Sequence, residues 1–302
     1  MYLFHKTIDG WDSWGQVFQS INVFRGVARE IQRRHNLPAE EITNLTPGTN
    51  AVFRTGDTVM KIYAPAESGI TSDDTELIAL LHAQAVGVAA PRVIAHGEIA
   101  DKYVFPYIVM EYIPGEEARH VIHSYSPEQK TIFARHMREI TAKLNVPLQG
   151  DTALNKVRDN IIDNSRWKIF PPEMRRGAVK YKSGVSSSGC VFVHGDLTGD
   201  NILVCGDGTP IAIDFGDSQM APPDYELMPI CFDLFRMDPI MMEAYFGNYR
   251  SDAFTRRLTG AALLHDYGGN GVEDCICRRL DVPISSVTSA DELFRLIKLL
   301  LV

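Results

Sequence analysis

The sequence has no apolar run approaching the ~20 residues that cross a bilayer, which removes a membrane-spanning helix from consideration. Its opening, MYLFHKTIDGWDSWG, lacks the basic start and apolar core of a secretory leader. Cysteine is scarce. Five residues, an odd number without framework spacing, argue against a disulfide scaffold and fit a reducing compartment. Cys275 and Cys277 stand too close for a usual zinc pair, have no second pair behind them, and read as ordinary thiols. There is no internal repeat and no long low-complexity segment. Positive charge is also short: the formal net charge is −8, and from Asp196 onward 17 acidic residues stand against 8 basic ones, a net −9. A nucleic-acid partner would need a basic face that this chain does not offer. The acidity itself leaves two readings open, a site for a cationic substrate or a solvated outer face. A soluble, cytoplasmic protein with no membrane and no nucleic-acid partner is expected, and nothing in the sequence sets its oligomeric state.

What the sequence does have is apolar mass and one dense polar motif. With 45% apolar residues over 302 positions it can bury a large core. It also exceeds the usual ~100–200 residues of one domain, so two lobes are expected. The stretch Val191-Phe192-Val193-His194-Gly195-Asp196-Leu197-Thr198-Gly199-Asp200-Asn201-Ile202-Leu203 begins as an apolar strand that delivers His194 and Asp196 into a loop. Ile211-Ala212-Ile213-Asp214-Phe215-Gly216 then returns as the second arm of a short hairpin, so Asp196, Asn201 and Asp214 converge. Phosphoryl transfer needs a carboxylate to orient the attacking hydroxyl and accept its proton, and hard oxygen ligands to hold magnesium against the nucleotide phosphates. Asp196 suits the first task; Asn201 and Asp214 suit the second. Taken singly, His-Gly-Asp and Asp-Phe-Gly are ordinary turn sequences. Their order, with apolar strands on both sides, favours a phosphotransferase site.

These residues, HGDLTGDN with IDFGD, resemble the aminoglycoside phosphotransferase family, whose relatives include choline, fructosamine and other small-molecule kinases. Protein kinases are more distant, since they usually carry Arg between the His and the Asp, Lys two residues after the Asp, and an Ala-Pro-Glu segment downstream. This chain has Gly195, Thr198 and no Ala-Pro-Glu. The resemblance runs from about Glu41 to near Tyr249. It implies an α+β, bilobal protein-kinase-like fold. Residues 1–112 would form a small antiparallel-sheet lobe for the nucleotide, with an N-terminal helical extension, and residues 113–302 a mainly helical lobe with the catalytic loop and acceptor site. ATP or GTP as phosphoryl donor, Mg2+ as cofactor, and a small polar acceptor bearing a hydroxyl are implied with it. An aminoglycoside antibiotic is the family's best-known acceptor, and choline, another amine or a sugar carries nearly equal weight. A nucleotide-binding scaffold without turnover is the alternative from a different class, and the intact Lys61, Asp196, Asn201 and Asp214 set argues against it.

Hydrophobic periodicity organises the rest. Phe18, Ile21, Phe24, Val27 and Ile31 predict one amphipathic helix over 14–35. Strands are expected over 41–45, 51–54, 58–63, 91–96 and 104–110. Asp73-x-x-Glu76 should open a helix that runs through His82 and closes near Gly87. Tyr112-Ile113-Pro114-Gly115 marks the exit from the sheet lobe. Beyond it, Ser126-Pro127-Glu128-Gln129 predicts a capped helix whose core stripe is Phe133, Met137, Ile140 and Leu144. Residues 184–189 read as a short flexible connector into the catalytic strand.

Lys61 falls on the strand face opposite Met60 and Ile62, where an exposed lysine is the default reading. Glu76 follows fifteen residues later in a helix, a separation like that of the kinase Lys–Glu pair that positions the α- and β-phosphates. In Thr46-Pro47-Gly48-Thr49-Asn50-Ala51, Gly48, the Thr49 hydroxyl and the amides of Thr49 and Asn50 are candidates to cover the phosphates, and an ordinary hairpin turn is an equal reading. The backbone at Glu111 and Ile113 resembles the kinase hinge that pairs with a purine edge. Glu226 matches the family's carboxylate below the catalytic loop, a brace first and a substrate contact second. Asp224 and Asp233 are further acidic candidates for the acceptor, without a motif of their own. His194 is expected to orient the loop by hydrogen bonding, leaving Asp196 as the proton acceptor.

Overall fold

The computed structural model describes residues 2–45, 48–65, 75–148, 167–184 and 189–301. The chain divides into two compact units, one of Met1–Gln84 with Ala90–Pro114, the other of Ala85–Ala89 with Gly115–Val302.

The first unit is a five-stranded antiparallel sheet of β1 (Ile42–Asn44), β2 (Ala51–Thr55), β3 (Thr58–Ile62), β4 (Val93–Ala100) and β5 (Val104–Glu111), in the order β1-β2-β3-β5-β4. The helix expected over 14–35 is two helices, α1 (Trp11–Gly15) and α2 (Ile21–Arg34). Gly15 is a poor helix former, and Ser20 is extended at φ −89° and ψ 100°. The break also lets Trp14 turn inward, where its indole N–H donates to the Thr49 carbonyl at 2.8 Å. α2 buries Phe24, Val27, Ala28 and Ile31 along one face, as the period demands. Phe24 sits among Phe4, Phe53 and Phe105, with ring centroids 5.2, 5.9 and 5.8 Å away. α3 (Thr75–Ala85) carries Glu76 in its first turn, and the expected cap Asp73 lies outside the described residues. β4 extends past the expected 91–96. As an edge strand it needs only one partner, so His96 and Glu98 are accommodated at exposed positions, with Gly97 half-buried between them.

The second unit opens with β6 (Gly115–Glu117) and α4 (Ala118–Val121), followed by α5 (Pro127–Leu144) and α6 (Pro172–Ser183). α5 begins as expected: Ser126 Oγ accepts the Gln129 N–H, and Gln129 Oε1 accepts the Ser126 N–H. Its buried stripe includes Phe133, Met137, Ile140 and Leu144. Residues 185–188 of the expected connector lie outside the described residues. Four short strands follow: β7 (Val191–Val193), β8 (Ile202–Cys205), β9 (Pro210–Ala212) and β10 (Gln219–Ala221). β6, β8 and β9 form one small sheet, and β7 pairs with β10. Helices complete the unit: α7 (Pro239–Phe246), α8 (Asp252–Leu264), α9 (Gly268–Gly271), α10 (Arg278–Leu280) and α11 (Ala290–Leu300). Among the described residues no helix is long and apolar enough to cross a membrane.

Candidate active site

Two strand pairs frame the catalytic loop. Val193 of β7 sits opposite Gln219 of β10, so His194 and Ser218 leave the ladder side by side, and Ser218 Oγ donates to the His194 carbonyl at 3.3 Å. Ile202 of β8 sits opposite Ala212 of β9, and beyond them the Ile213 N–H donates to the Asn201 carbonyl at 2.9 Å. Loops 194–201 and 213–218 are therefore pinned together at both ends. Gly195 makes their approach possible: its φ is +84°, and a Cβ there would lie 2.3 Å from the Asp217 carbonyl oxygen. Asp214 is itself left-handed at φ 57°, an uncommon conformation for a residue with a side chain.

Hydrogen bonds fix the groups within this frame. The Asp196 N–H donates to His194 Nδ1 at 3.2 Å, so the imidazole proton resides on Nε2, which donates to the Ile213 carbonyl at 3.0 Å. With both nitrogens engaged and no exposure to solvent, His194 is a brace and has no lone pair to offer a substrate. Asn201 Nδ2 donates to Asp196 Oδ2 at 2.7 Å and to the Asp196 carbonyl at 3.0 Å. Its Oδ1 is thereby the end of the amide left to ligate a cation. Burial, and then the charges of Asp217, Asp214 and Asp233, push the Asp196 carboxyl up to about 7 against the pull of the Asn201 hydrogen bond. No cluster of three or more His, Cys, Asp or Glu side chains forms a self-contained metal cage among the described residues. Asn201 Oδ1 and the Asp214 carboxylate fit magnesium all the same, because that ion takes one or two protein oxygens and completes its shell with phosphate and water.

In the first unit, Lys61 is buried and ion-paired: its Nζ lies 2.7 Å from Glu76 Oε2, and the Tyr63 hydroxyl donates to the same oxygen at 2.6 Å. A lysine so enclosed needs such a partner to stay charged. Gly48 and Thr49 are exposed and Asn50 is half-buried; Thr46 and Pro47 lie outside the described residues. At the end of β5 the Glu111 N–H donates to the Arg92 carbonyl at 3.0 Å and the Tyr112 N–H to the Asp57 carbonyl at 2.9 Å, whereas the Ile113 N–H meets no acceptor among the described residues.

The three acidic acceptor candidates occupy different environments. Glu226 is fully buried, its Oε1 accepting the His194 N–H at 2.5 Å, and burial pushes its carboxyl up to about 7. Asp233 accepts the Gly199 N–H at 2.7 Å and so holds the far side of the loop. Asp224 is gripped by both the Nε and the Nη2 of Arg257, at 3.1 and 2.7 Å. The structure adds three residues that were given no role from the sequence: Asp217 beside Asp196, His265, which donates to the Gly195 carbonyl, and Tyr267, which donates to Asp217. Asp217 had a local signal, standing one residue past Asp-Phe-Gly. His265 had none, with its partner 70 residues away.

An antiparallel five-stranded unit followed by a helical unit with two pinned acidic loops is the plan of a kinase-like phosphotransferase. Residues 42–258 match the phosphotransferase enzyme family, and the chain belongs to it. Among solved structures it is similar to the GDP complex of aminoglycoside 2'-phosphotransferase-IIIa, with 18% identity and a TM-score of 0.59 over 90% of this chain and 97% of that one. It is also similar to a choline/ethanolamine kinase family protein from Mesorhizobium loti, at 20% identity and a TM-score of 0.55 over 90% and 94%. A microcompartment-associated aminopropanol kinase gives 15% identity and a TM-score of 0.56 over 90% and 93%. A comparison with curated proteins yields no match. The fold is accordingly α+β and protein-kinase-like.

Proposed function

We propose that this protein transfers the γ-phosphoryl group of ATP or GTP to a hydroxyl of a small, polar, cationic molecule, an aminoglycoside or a smaller amino alcohol. The observation that carries the reading is the Asp196–Asn201 pair held within the field of Asp214, Asp217 and Asp233. Related structures support the same chemistry: complexes with kanamycin and with streptomycin, and an aminopropanol kinase, involve amines bearing hydroxyls.

In this reading Asp196 orients the acceptor hydroxyl and takes its proton as the oxygen–phosphorus bond forms and the bond to the nucleotide's bridging oxygen breaks. Lys61, steadied by Glu76, holds the α- and β-phosphates. Gly48, Thr49 and Asn50 cover the phosphates, and the backbone at Glu111 and Ile113 pairs with the purine edge. Asn201 and Asp214 would hold Mg2+, which supplies charge neutralisation at the phosphates. His194, Glu226 and Asp233 keep the loop in place. A metabolic small-molecule kinase is the second reading, and the choline/ethanolamine and aminopropanol kinase neighbours favour an amine as its acceptor.

The test is consumption of magnesium-ATP and magnesium-GTP across a panel of aminoglycosides, choline-like amines, sugars and nucleosides. With the acceptor so identified, Asp196→Asn should lower turnover ~10³-fold or more while calorimetry shows nearly unchanged nucleotide affinity. A variant keeping more than about a tenth of the wild-type rate would remove Asp196 from the catalytic role.

A further inference from the structure

The peptide unit that joins Gly195 to Asp196 is held by two histidines. Its N–H donates to His194 Nδ1 at 3.2 Å, and its carbonyl accepts from His265 Nε2 at 2.9 Å. Because a peptide unit is planar, fixing both polar ends fixes the plane and with it the direction in which Asp196 leaves the loop. His194 belongs to the HGD motif. His265 lies at the end of α8, past residue 258 where the family match stops.

Everything around His265 sets it as a donor. Its Nδ1 accepts the Tyr267 N–H at 3.0 Å, which places the proton on Nε2, facing Gly195. The ring is fully buried and lies 4.2 Å, centroid to centroid, from Tyr225. The turn is anchored in turn: the Asp266 N–H donates to the Tyr225 hydroxyl at 3.2 Å, and the Asp266 carboxylate lies 3.2 Å from Lys182 Nζ. Two residues after His265, the Tyr267 hydroxyl donates to Asp217 Oδ2 at 3.3 Å. One turn thus grips both acidic loops, Gly195 in the first and Asp217 in the second.

We infer that the His265-Asp266-Tyr267 turn is a clamp on the two loops and that His265 is a positioning residue for Asp196; the catalytic part of this rests on the phosphotransferase reading above. A displaced carboxylate cannot align the acceptor hydroxyl with the phosphorus, and a misplacement of ~1 Å can cost ~10²-fold in rate. The His265 arm of the clamp acts on the orientation of Asp196 and touches none of the proposed nucleotide contacts, so its loss is read in kcat and spares nucleotide binding.

The experiment compares His265→Leu, which fills the space without a donor, with His265→Gln, which retains an N–H toward Gly195, and with Tyr267→Phe. Calorimetric ATP titration gives the folded, binding-competent fraction, and turnover is divided by it. His265→Leu should lose ~10- to 100-fold in kcat at a nucleotide Kd within about twofold of wild type, and His265→Gln should recover most of that loss. Tyr267→Phe, which deletes one hydroxyl, carries the test should the leucine variant fail to bind nucleotide, with a smaller fall in kcat expected. Hydrogen exchange across residues 194–199 gives a readout that needs no acceptor: faster exchange in His265→Leu, restored in His265→Gln. Turnover within twofold of wild type in a fully binding His265→Leu, or unchanged exchange in that variant, overturns the clamp. If the wild-type protein phosphorylates no acceptor at all, the function proposed above falls, and the exchange comparison still decides the clamp.

Discussion

Asp196 and Glu226 are both pushed up to about 7, for different reasons. Burial leads in each, but Asp196 adds the repulsion of Asp217, Asp214 and Asp233, while Glu226 is wholly enclosed and relieved only by hydrogen bonds. A carboxyl raised in the folded state binds its proton more tightly there than in the unfolded chain. Its contribution to stability is complete below its ordinary value, 3.8 for Asp196 and 4.5 for Glu226, and is lost as pH rises through about 7. In EDTA, Glu226→Gln should therefore gain on wild type in Tm as pH goes from about 5 to 8, because the amide stays neutral where the carboxyl ionises. The difference between the two melting curves is the quantity to follow, since Asp196, also raised to about 7, titrates in the same window in both proteins. A difference that stays flat with pH would show that Glu226 does not titrate in this window. The candidate nucleotide residues separate by a similar contrast. Lys61→Ala should weaken ATP binding with or without magnesium, whereas Asn201→Ala and Asp214→Ala should weaken it only when magnesium is present, as titrations in magnesium and in EDTA would show. Equal losses in both conditions for all three variants would contradict the assignments.

Elements whose signals are local were legible in advance. The Ser126–Gln129 capping box and the Phe133-Met137-Ile140-Leu144 stripe need nothing beyond the helix itself, and the five strands of the first unit follow from alternation and turn residues. What escaped depends on distant partners. The N-terminal helix breaks where Trp14 finds the Thr49 carbonyl, 35 residues on, and β4 runs through His96, Gly97 and Glu98 because an edge strand tolerates polar residues. At the site, Asp196, Asn201 and Asp214 could be seen from spacing, but His265 is joined to Gly195 only by the return of α8. The same distinction sets the next expectation. α2 lies before the matched family segment, yet Phe24 is completely buried among Phe4, Phe53 and Phe105, so the first unit depends on it. Phe24→Ala should cost ~3–5 kcal/mol, measured by urea unfolding. A loss below about 1 kcal/mol would mean that α2 is an appendage and not part of that core.

Across the whole molecule, the acidity that left two readings open in the sequence has two components. Asp224, Asp238, Asp252, Asp266 and Glu292 are each paired with a cation, respectively Arg257, Lys130, Lys298, Lys182 and Arg295, and such pairs add little to the field beyond them. Asp214, Asp217 and Asp233 instead act together on Asp196, adding to burial, the larger cause, in raising its carboxyl to about 7. On the phosphotransferase proposal, negative potential is therefore concentrated where the acceptor hydroxyl is to arrive. A cluster of one sign attracts a cation and repels an anion, and salt weakens that preference as the screening length falls to ~10 Å at 0.1 M. For a cationic acceptor at saturating magnesium-nucleotide, KM should rise between low and moderate ionic strength while kcat changes little; a neutral acceptor of similar size should show no such rise. The pair of substrates matters, because salt also weakens magnesium and nucleotide binding, and only the difference between them reports the acceptor's own charge. A salt-independent KM for the cation would return the acidity to the outer surface. Efficient phosphorylation of a carboxylate- or phosphate-bearing acceptor would overturn the cationic substrate class while leaving the phosphotransferase chemistry of Asp196 in place.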